Sequence, residues 1–406
     1  MKWKFYSLAF VAGMSILTAC SSDDNNDNDG NGGNGNGNEI ENGTILKGTI
    51  TSDVTLAAGN TYKLSGEYIV EEGATLHIEE GVKIIAVYDD IADYILVKQG
   101  GKINAVGTPD KPIVMTSEKE EPGAWGGIHI CGRAHTNAEG GKGSSEIGGA
   151  VYGGNDDADN SGTLQYIRLE YTGFAFDEEH EANGISFYGV GNGTIVDHCQ
   201  AYKGSDDGFE FFGGSVNVSN LVAVSCSDDS FDWTEGWNGK GTNLVAYQEA
   251  ESTLGYDCDC LMECDNNGSN NAATPVAHPV LKNLILVGNG GSKQGIRLRA
   301  GTEVEIDNAK VCGKGQPLTV ETALTENALK NGTSKLTNIT LTSELSCKEG
   351  IYTHADFIAV TSNKVDANLS YSSFEDIRKE RSCMFTVLTF AGDSTITRYF
   401  ATSDAS

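Results

Sequence analysis

A short segment recurs along this chain at a nearly constant interval. The stretch HCQAYKGSDDGFEFFGG begins at His198, and NLVAVSCSDDSFDWTEG follows it 22 residues later. The apolar pattern of the second copy returns at Asn243, Asn283, Asn308 and Asn338, so the remaining intervals are 23, 40, 25 and 30 residues. A period of this length is typical of chains in which each repeat forms one coil of a solenoid.

The residues within each repeat predict strands rather than helices. Short β-branched runs alternate with turn residues, and the chain holds 51 Gly but only 6 Pro. We therefore expect an all-β fold, a right-handed parallel β-helix with about three strands per coil and coils roughly 4.8 Å apart. A β-propeller fits less well, because its repeats are nearer 40 residues and contain four strands. The Asn before each apolar strand predicts a ladder of side-chain amides at one corner of the coil.

The rest of the chain divides around this solenoid. Residues 48–86 alternate apolar and polar positions and predict the first, narrower coils, whereas 136–162 and 250–278 are polar and predict inserted loops. The expected division is a lipoprotein signal peptide at 1–19, a lipidated cysteine with a disordered acidic linker at 20–44, the β-helix at 45–344, and C-terminal coils or a cap at 345–406.

The N-terminus carries the features of an export signal. Lys2 and Lys4 precede an apolar stretch over 5–17, which is too short to span a bilayer and ends in Leu-Thr-Ala-Cys at Cys20. This pattern predicts lipidation of Cys20, which would anchor the chain to a membrane. Asp23 and Asp24, just after this cysteine, resemble the surface-export signal of Bacteroidetes lipoproteins. That resemblance implies an outer-membrane anchor with the chain facing outward on the cell surface. Residues 21–38 contain only Ser, Asp, Asn and Gly, so they predict a solvated tether.

The composition limits the partners of the chain. Its formal net charge of −29 disfavours nucleic acid and favours cations. Glycans, a host surface and further copies of the chain stay open as partners. Of the ten Cys, nine follow Cys20, which favours an oxidising compartment. We expect the dense group Cys258, Cys260 and Cys264 to form disulfides rather than a zinc site, because its spacing matches no standard zinc pattern.

Strand alternation sorts the residues of the two acidic-aromatic runs. The aromatic residues of SDDGFEFFGG and SDDSFDWTEG fall on one side of each strand, where they can stack inside the coil. The opposite side then carries an outward ladder of four acids, Asp206, Glu210, Asp228 and Asp232. Asp207 and Asp229 have inward parity, so we expect them at a corner before the strand or buried with a partner.

Three interpretations of these acids stay open. In a structural one, Asp207 and Asp229 accept backbone hydrogen bonds at the corner and the outward acids are solvated. In the second, the outward acids Asp206, Glu210, Asp228 and Asp232 bind Ca²⁺, which would offset the repulsion between like charges on adjacent coils. In the third, a polysaccharide lyase or glycoside hydrolase uses Asp206, Asp207, Asp228 and Asp229 as acid and base, since the coil spacing suits the carboxylate separations of glycosidases.

A later strand adds two arginines to the same wall. In QGIRLRAG, Arg297 and Arg299 share one side of the strand and should lie two coils beyond Asp232. In the enzymatic interpretation Arg297 would hold substrate carboxylates. The alternative is that both arginines neutralise nearby acids such as Glu303 and Glu305.

Several segments together resemble a known group of proteins. The motifs GTPDKPIVMTSEKEEPGAWGGIHICGRA, DNSGTLQYIRLEYTG, GISFYGVGNGTIVDH and DDGFEFFGG resemble Bacteroidetes cell-surface β-helix lipoproteins over residues 45–250. The resemblance implies a surface-layer or adhesin role, a structural or binding scaffold rather than an enzyme. Paired aspartates followed by an arginine strand are also similar to polygalacturonases, but the Gly-His-Gly and Asn-Thr-Asp motifs of that family are missing here.

Overall fold

The computed structural model describes residues 38–89, 91–176 and 180–380, together with the backbone of two strands at 386–388 and 398–400. The signal peptide, Cys20 and most of the expected linker lie outside the described residues. Among the described residues, no helix is both long and apolar enough to cross a membrane.

The described chain is built almost entirely from short strands. In chain order the strands are β1 (Asn38–Ile40), β2 (Ile45–Ile50), β3 (Val54–Leu56), β4 (Thr61–Val70), β5 (Thr75–Ile78), β6 (Lys83–Ala86), β7 (Tyr94–Val97), β8 (Lys102–Val106), β9 (Ile113–Ser117), β10 (Ile128–Cys131), β11 (Gly143–Ser144), β12 (Val151–Tyr152), β13 (Gly162–Glu170), β14 (Ile185–Tyr188), β15 (Ile195–Tyr202), β16 (Phe209–Phe212), β17 (Asn217–Val224), β18 (Phe231–Thr234), β19 (Lys240–Tyr247), β20 (Met262–Cys264), β21 (Val280–Val287), β22 (Gln294–Leu298), β23 (Glu305–Cys312), β24 (Gln316–Val320), β25 (Lys335–Leu341), β26 (Ser346–Cys347), β27 (Lys364–Val365), β28 (Thr386–Leu388) and β29 (Arg398–Phe400). The helices are α1 (Glu251–Leu254), α2 (Ala323–Asn331), α3 (His354–Ala359) and α4 (Phe374–Glu380), with a short 3₁₀ turn at Glu139–Gly141.

Twenty-five of these strands form one parallel sheet that winds into a right-handed β-helix, as the repeat predicts. Each coil contributes strands to three faces. The first face contains β1, β3, β5, β8 and the first halves of the long strands β13, β15, β17, β19, β21, β23 and β25. The second face contains the second halves of those strands with β6, β9, β27 and the first halves of β2 and β4. The third face contains the second halves of β2 and β4 with β7, β10, β14, β16, β18, β20, β22, β24 and β26.

A ladder of asparagines forms the corner between the first and second faces. Each of these residues has a left-handed backbone, with φ between 54° and 62°, a conformation that Asn tolerates better than most residues. Asn243 donates its side-chain amide to Asn220 at 2.9 Å, Asn283 donates to Asn243 at 3.1 Å, and Asn308 donates to Asn283 at 2.8 Å. The predicted amide ladder is therefore confirmed, and it bends β17, β19, β21, β23 and β25 at the same place. In β13 and β15 the left-handed residue at this corner is Tyr166 and His198, respectively.

Aromatic side chains stack along the interior of the coil. Phe187 lies over Phe211 with ring centroids 5.0 Å apart, and Phe209 lies over Phe231 at 5.6 Å. All four side chains belong to the central hydrophobic core, as their strand parity predicts. Trp237, which follows β18 in a turn, also packs in this core and stacks on Phe211 at 4.2 Å.

Two of the expected boundaries are corrected. Strand β1 lies within the segment expected to be a disordered linker, yet it pairs with β3, because Ile40 packs against the core. Strand β20 lies within the expected loop 250–278, yet it pairs with β18 and β22 and forms part of the third face. The segment 345–406 begins with β26 and β27, which continue the coils, and α4 then packs on the second face through Ile377.

The cysteines differ from the expectation of disulfides. The eight described cysteines are all free thiols, and seven of them are buried. Cys264 lies in the hydrophobic core, and Cys260 directs its sulfur to the carboxylate of Asp259 at 3.3 Å. The strand geometry of Met262–Cys264 thus places Cys264 in packing contact with apolar side chains rather than with a second sulfur.

Candidate functional site

The third face carries a row of stacked polar side chains. Ser186, Glu210, Asp232, Glu263 and Arg297 occupy equivalent positions on five successive strands. They point outward because their neighbours along each strand, such as Phe209 and Phe211, point into the core. Glu210 and Asp232 were expected on this row, and Arg297 lies two coils beyond Asp232 as predicted. Glu263 was not predicted, because its strand lies within the polar segment 250–278, which the sequence predicts to be an inserted loop.

A second row of side chains lies at the corner that precedes these strands. Asp207 accepts a hydrogen bond from the backbone N–H of Asp229 at 2.8 Å, and Asp229 accepts one from the backbone N–H of Cys260 at 2.6 Å. Asn183 occupies the equivalent place one coil earlier and accepts from the N–H of Asp207. Asp207 and Asp229 are only 6% and 4% exposed. Each carboxylate therefore fastens its own corner to the next coil.

The two rows and the residues before them bring seven carboxyl groups together, because Asp206 and Asp228 directly precede Asp207 and Asp229 in the chain. Oxygen atoms of Asp206, Asp207 and Asp228 lie within 4.8 Å of one another. The same limit holds for two further all-carboxylate sets, Asp207–Glu210–Asp232 and Asp229–Asp232–Glu263, whereas a fourth set, Asp229–Asp259–Cys260, includes a thiol. We call these seven residues the carboxylate cluster, Asp206, Asp207, Glu210, Asp228, Asp229, Asp232 and Glu263. The cluster unites all the acids that the sequence selected.

Burial and mutual repulsion make these groups hard to ionise. Burial, followed by the charge of Asp228, raises the pKa of Asp206 to about 8. Burial raises the pKa values of four deeper members well above their ordinary range, with the neighbouring carboxylates adding to the effect, Asp207, Glu210, Asp229 and Asp232. Within the described part of the chain, the basic side chains form ion pairs with Glu263 but with no other member of the cluster.

The arginines of β22 and its C-terminal turn close one end of the cluster. Arg297 pairs with Glu263 at 2.7 Å and with Glu321 at 3.1 Å. Arg299 pairs with Glu263 and with Asp265, the latter at 2.7 Å. The expected neutralisation of acids therefore occurs, but on different residues. Glu303 and Glu305 bind His278 and Lys335 instead, because they lie on the turn and strand that follow, outside the third face.

Comparison with known proteins places this architecture in a family. Residues 48–382 match the family model described as a pectate-lyase-like beta helix domain. The chain belongs to this family. No curated protein and no solved structure shows a significant match to it.

The inserted segment of this pectate-lyase-like β-helix places one further acid near the carboxylate cluster. Glu146, within the insertion at 136–162, accepts a hydrogen bond from the Tyr188 hydroxyl at 3.1 Å. Its charge adds to the rise in the pKa of Glu210. Burial raises the pKa of Glu146 to about 7. The insertion is held in place by Tyr152 and Thr136, which both donate to Glu235 at 2.8 and 2.6 Å. The sequence offered no signal for Glu146, because the insertion interrupts the repeat.

The cluster provides oxygen ligands suited to a hard cation. Carboxylate oxygens are the groups that Ca²⁺ prefers, in sets of six to eight ligands. One oxygen of Asp232, Oδ1, is buried and accepts no hydrogen bond from a described residue. The aromatic residues of the same face are unsuited to stacking on a sugar, since Trp233 and Tyr188 are fully buried. The third face therefore presents carboxylate oxygens and charged groups on its outer side rather than aromatic rings.

Proposed function

We propose that this protein is a Ca²⁺-binding β-helix scaffold, lipid-anchored at the outer membrane through Cys20 and facing outward, where it serves a structural or adhesive role. The observation that carries this proposal is the carboxylate cluster, whose oxygens lie within 4.8 Å of one another in sets of three. Among the described residues, Glu263 is the one member that pairs with basic side chains. A net charge of −29 gives the whole chain an attraction for cations.

The ligand set favours calcium over magnesium. Ca²⁺ binds oxygens at 2.3–2.6 Å in flexible geometry, so two ligands on opposite sides of one ion lie about 4.6–5.2 Å apart. Sets of oxygens within 4.8 Å of one another fit that span. Mg²⁺ demands near-ideal octahedral geometry and usually keeps several waters, so a site made mainly of protein carboxylates suits it less well.

The position of the cluster supports a scaffold role. Asp207 and Asp229 already connect successive coils through the backbone, so an ion held between them would tighten the same contact. Arg297 and Arg299 are engaged by protein carboxylates, so neither guanidinium of this strand is available to a substrate carboxylate.

Calcium titration of the full chain tests this proposal directly. Isothermal titration calorimetry should give saturable binding of Ca²⁺, and Asp232→Asn should weaken that binding at least tenfold because it removes a ligand that two oxygen sets share. Glu344→Gln is the matched control, since Glu344 is exposed and distant in the chain from the cluster. Absence of binding at millimolar Ca²⁺, or equal affinity of wild type and Asp232→Asn, would contradict the proposal.

A second candidate function is favoured by one specific observation. Asp206 has a pKa of about 8 and lies beside Asp228, which is exposed, so the pair offers a protonated acid next to a second carboxylate. That is the arrangement used by polysaccharide hydrolases and lyases. Release of reducing sugar or unsaturated product from a panel of polysaccharides, abolished by Asp206→Asn, would establish this activity. If the wild type releases no product from any polysaccharide of the panel, with Ca²⁺ present, the enzymatic candidate is rejected and the scaffold role stands as the proposal.

A further inference from the structure

A cavity of about 670 Å³ opens on the second face, away from the carboxylate cluster. Its floor is formed by the outward side chains of β6 and β9, and one wall by the turns at Gly59 and Gly81. Both glycines have left-handed backbones, with φ of 72° and 71°, so this wall consists of main chain without side chains. A volume of this size falls within the range of small-molecule sites.

The floor of the cavity alternates apolar and polar groups. Lys83 lies beside Val114 and Ile85 lies beside Thr116, in register across the two strands. Ile85 and Val114 are half-buried, so their aliphatic surfaces reach the cavity. The aliphatic side chains of Ile85 and Val114 thus form a hydrocarbon patch, and Lys83 and Thr116 place a polar group on either side of it.

Thr116 brings a buried hydroxyl group to the cavity. Its side chain is only 6% exposed, and its Oγ1 makes no hydrogen bond to a described residue. A buried hydroxyl without a partner costs free energy, which a ligand that bonds to it would recover. Because Thr116 lines the cavity, such a ligand would reach the hydroxyl from inside it.

The rim of the cavity carries charges of both signs. Lys111 pairs with Glu80 at 2.8 Å, and Glu118 pairs with Lys63 at 2.7 Å. Among the described residues, Lys83, Asp110 and Glu120 form no ion pair, and all three are exposed. Mixed free charges disfavour a polyanion and a polycation alike, but amines and carboxylates both hydrogen-bond readily to hydroxyl groups.

We infer that this cavity binds a neutral oligosaccharide segment. A sugar ring has one hydrocarbon face, which matches Ile85 and Val114, and peripheral hydroxyls, which match Thr116, Lys83 and the rim carboxylates. The inference rests on the binding role proposed above and gives that role a ligand class and a site. The site is separate from the carboxylate cluster and uses none of its residues.

Binding of neutral oligosaccharides to the full chain tests this inference. The probes are tri- and tetrasaccharides of glucose, xylose, mannose, galactose and N-acetylglucosamine, titrated by calorimetry with and without a calcium chelator. We expect saturable binding of at least one probe, equally in both buffers, and weakened roughly fivefold to tenfold by Thr116→Val, which removes only the hydroxyl. Lys83→Ala, at an exposed position that endangers folding less, should weaken the same probe.

The matched control is Thr242→Val, an outward threonine of the first face. It should leave sugar binding unchanged. The inference fails if no probe binds, or if Thr116→Val and Lys83→Ala bind the probe as well as wild type does. It also fails if peptides from a parallel library bind and none of the sugars does. Loss of sugar binding in the chelator would place the sugar on the calcium site and would also overturn it. Failure of the calcium titration alone would leave the sugar result standing, so the two proposals can fail separately.

Discussion

In a calcium chelator, the free energy of unfolding should fall as the pH rises from about 5 to about 8, and millimolar Ca²⁺ should remove this loss. Asp206 has a folded pKa of about 8, whereas its value in the unfolded chain is near 3.8. Between these values the unfolded chain releases the proton and the folded chain retains it. Stability is therefore full below about pH 4 and is lost as the pH rises through the folded pKa, by an amount on the order of 3 kcal/mol.

Calcium should act in the opposite direction over the same range. The ion binds ionised carboxylates, so its stabilising effect grows as the cluster loses protons. At a hundredfold excess over the dissociation constant it would contribute about 2.7 kcal/mol. Urea unfolding at pH 5, 6, 7 and 8, in chelator and in Ca²⁺, measures both effects. Asp206→Asn should reduce the slope in chelator, because an amide cannot titrate, while the other buried carboxyl groups of the cluster keep part of it. Parallel slopes in the two buffers would show that the cluster binds no ion in the folded protein.

The fold was predictable because its signals are local and periodic. Each Asn of the ladder needs only its own preference for a left-handed backbone and a neighbour one coil away, and both are visible as an Asn before an apolar strand. The inward stack of Phe209 and Phe231 follows from strand alternation alone. These features require no knowledge of distant residues, and the structure confirms them.

The site was predictable only where it follows the repeat. Glu210 and Asp232 were found because adjacent copies place them in register. Glu263 was missed because an insertion lengthens its repeat to 40 residues and hides the strand that carries it. Glu146 was missed because it reaches the wall from a loop whose path the sequence does not encode periodically. The partners of Arg297 and Arg299 were misassigned for the same reason.

Arg297→Met should destabilise the fold by about 1.5–3 kcal/mol, since it removes charge-assisted hydrogen bonds to two partly buried acids, while Arg299 still pairs with Glu263 and Lys348 with Glu321. The side chains of Glu263 and Glu321 are 14% and 9% exposed, and Arg297 lies between them. Arg297→Lys keeps the charge but loses the planar fork that reaches both acids, so it should cost less. The midpoint of urea unfolding, measured without calcium, gives the comparison, with Lys102→Met as the control at an exposed lysine on the first face.

A compensating variant separates a structural arginine from a substrate-binding one. Replacing Arg297, Glu263 and Glu321 together by methionine removes both acids along with the arginine between them. Arg299 keeps Asp265 as its partner and Lys348 is exposed, so stability should return close to that of the wild type. A guanidinium that serves only the fold can be dispensed with in this way. If Arg297→Met instead unfolded like the wild type but abolished turnover of an acidic polysaccharide, Arg297 would hold substrate, and the wall would be an active site rather than a calcium-bound part of the scaffold.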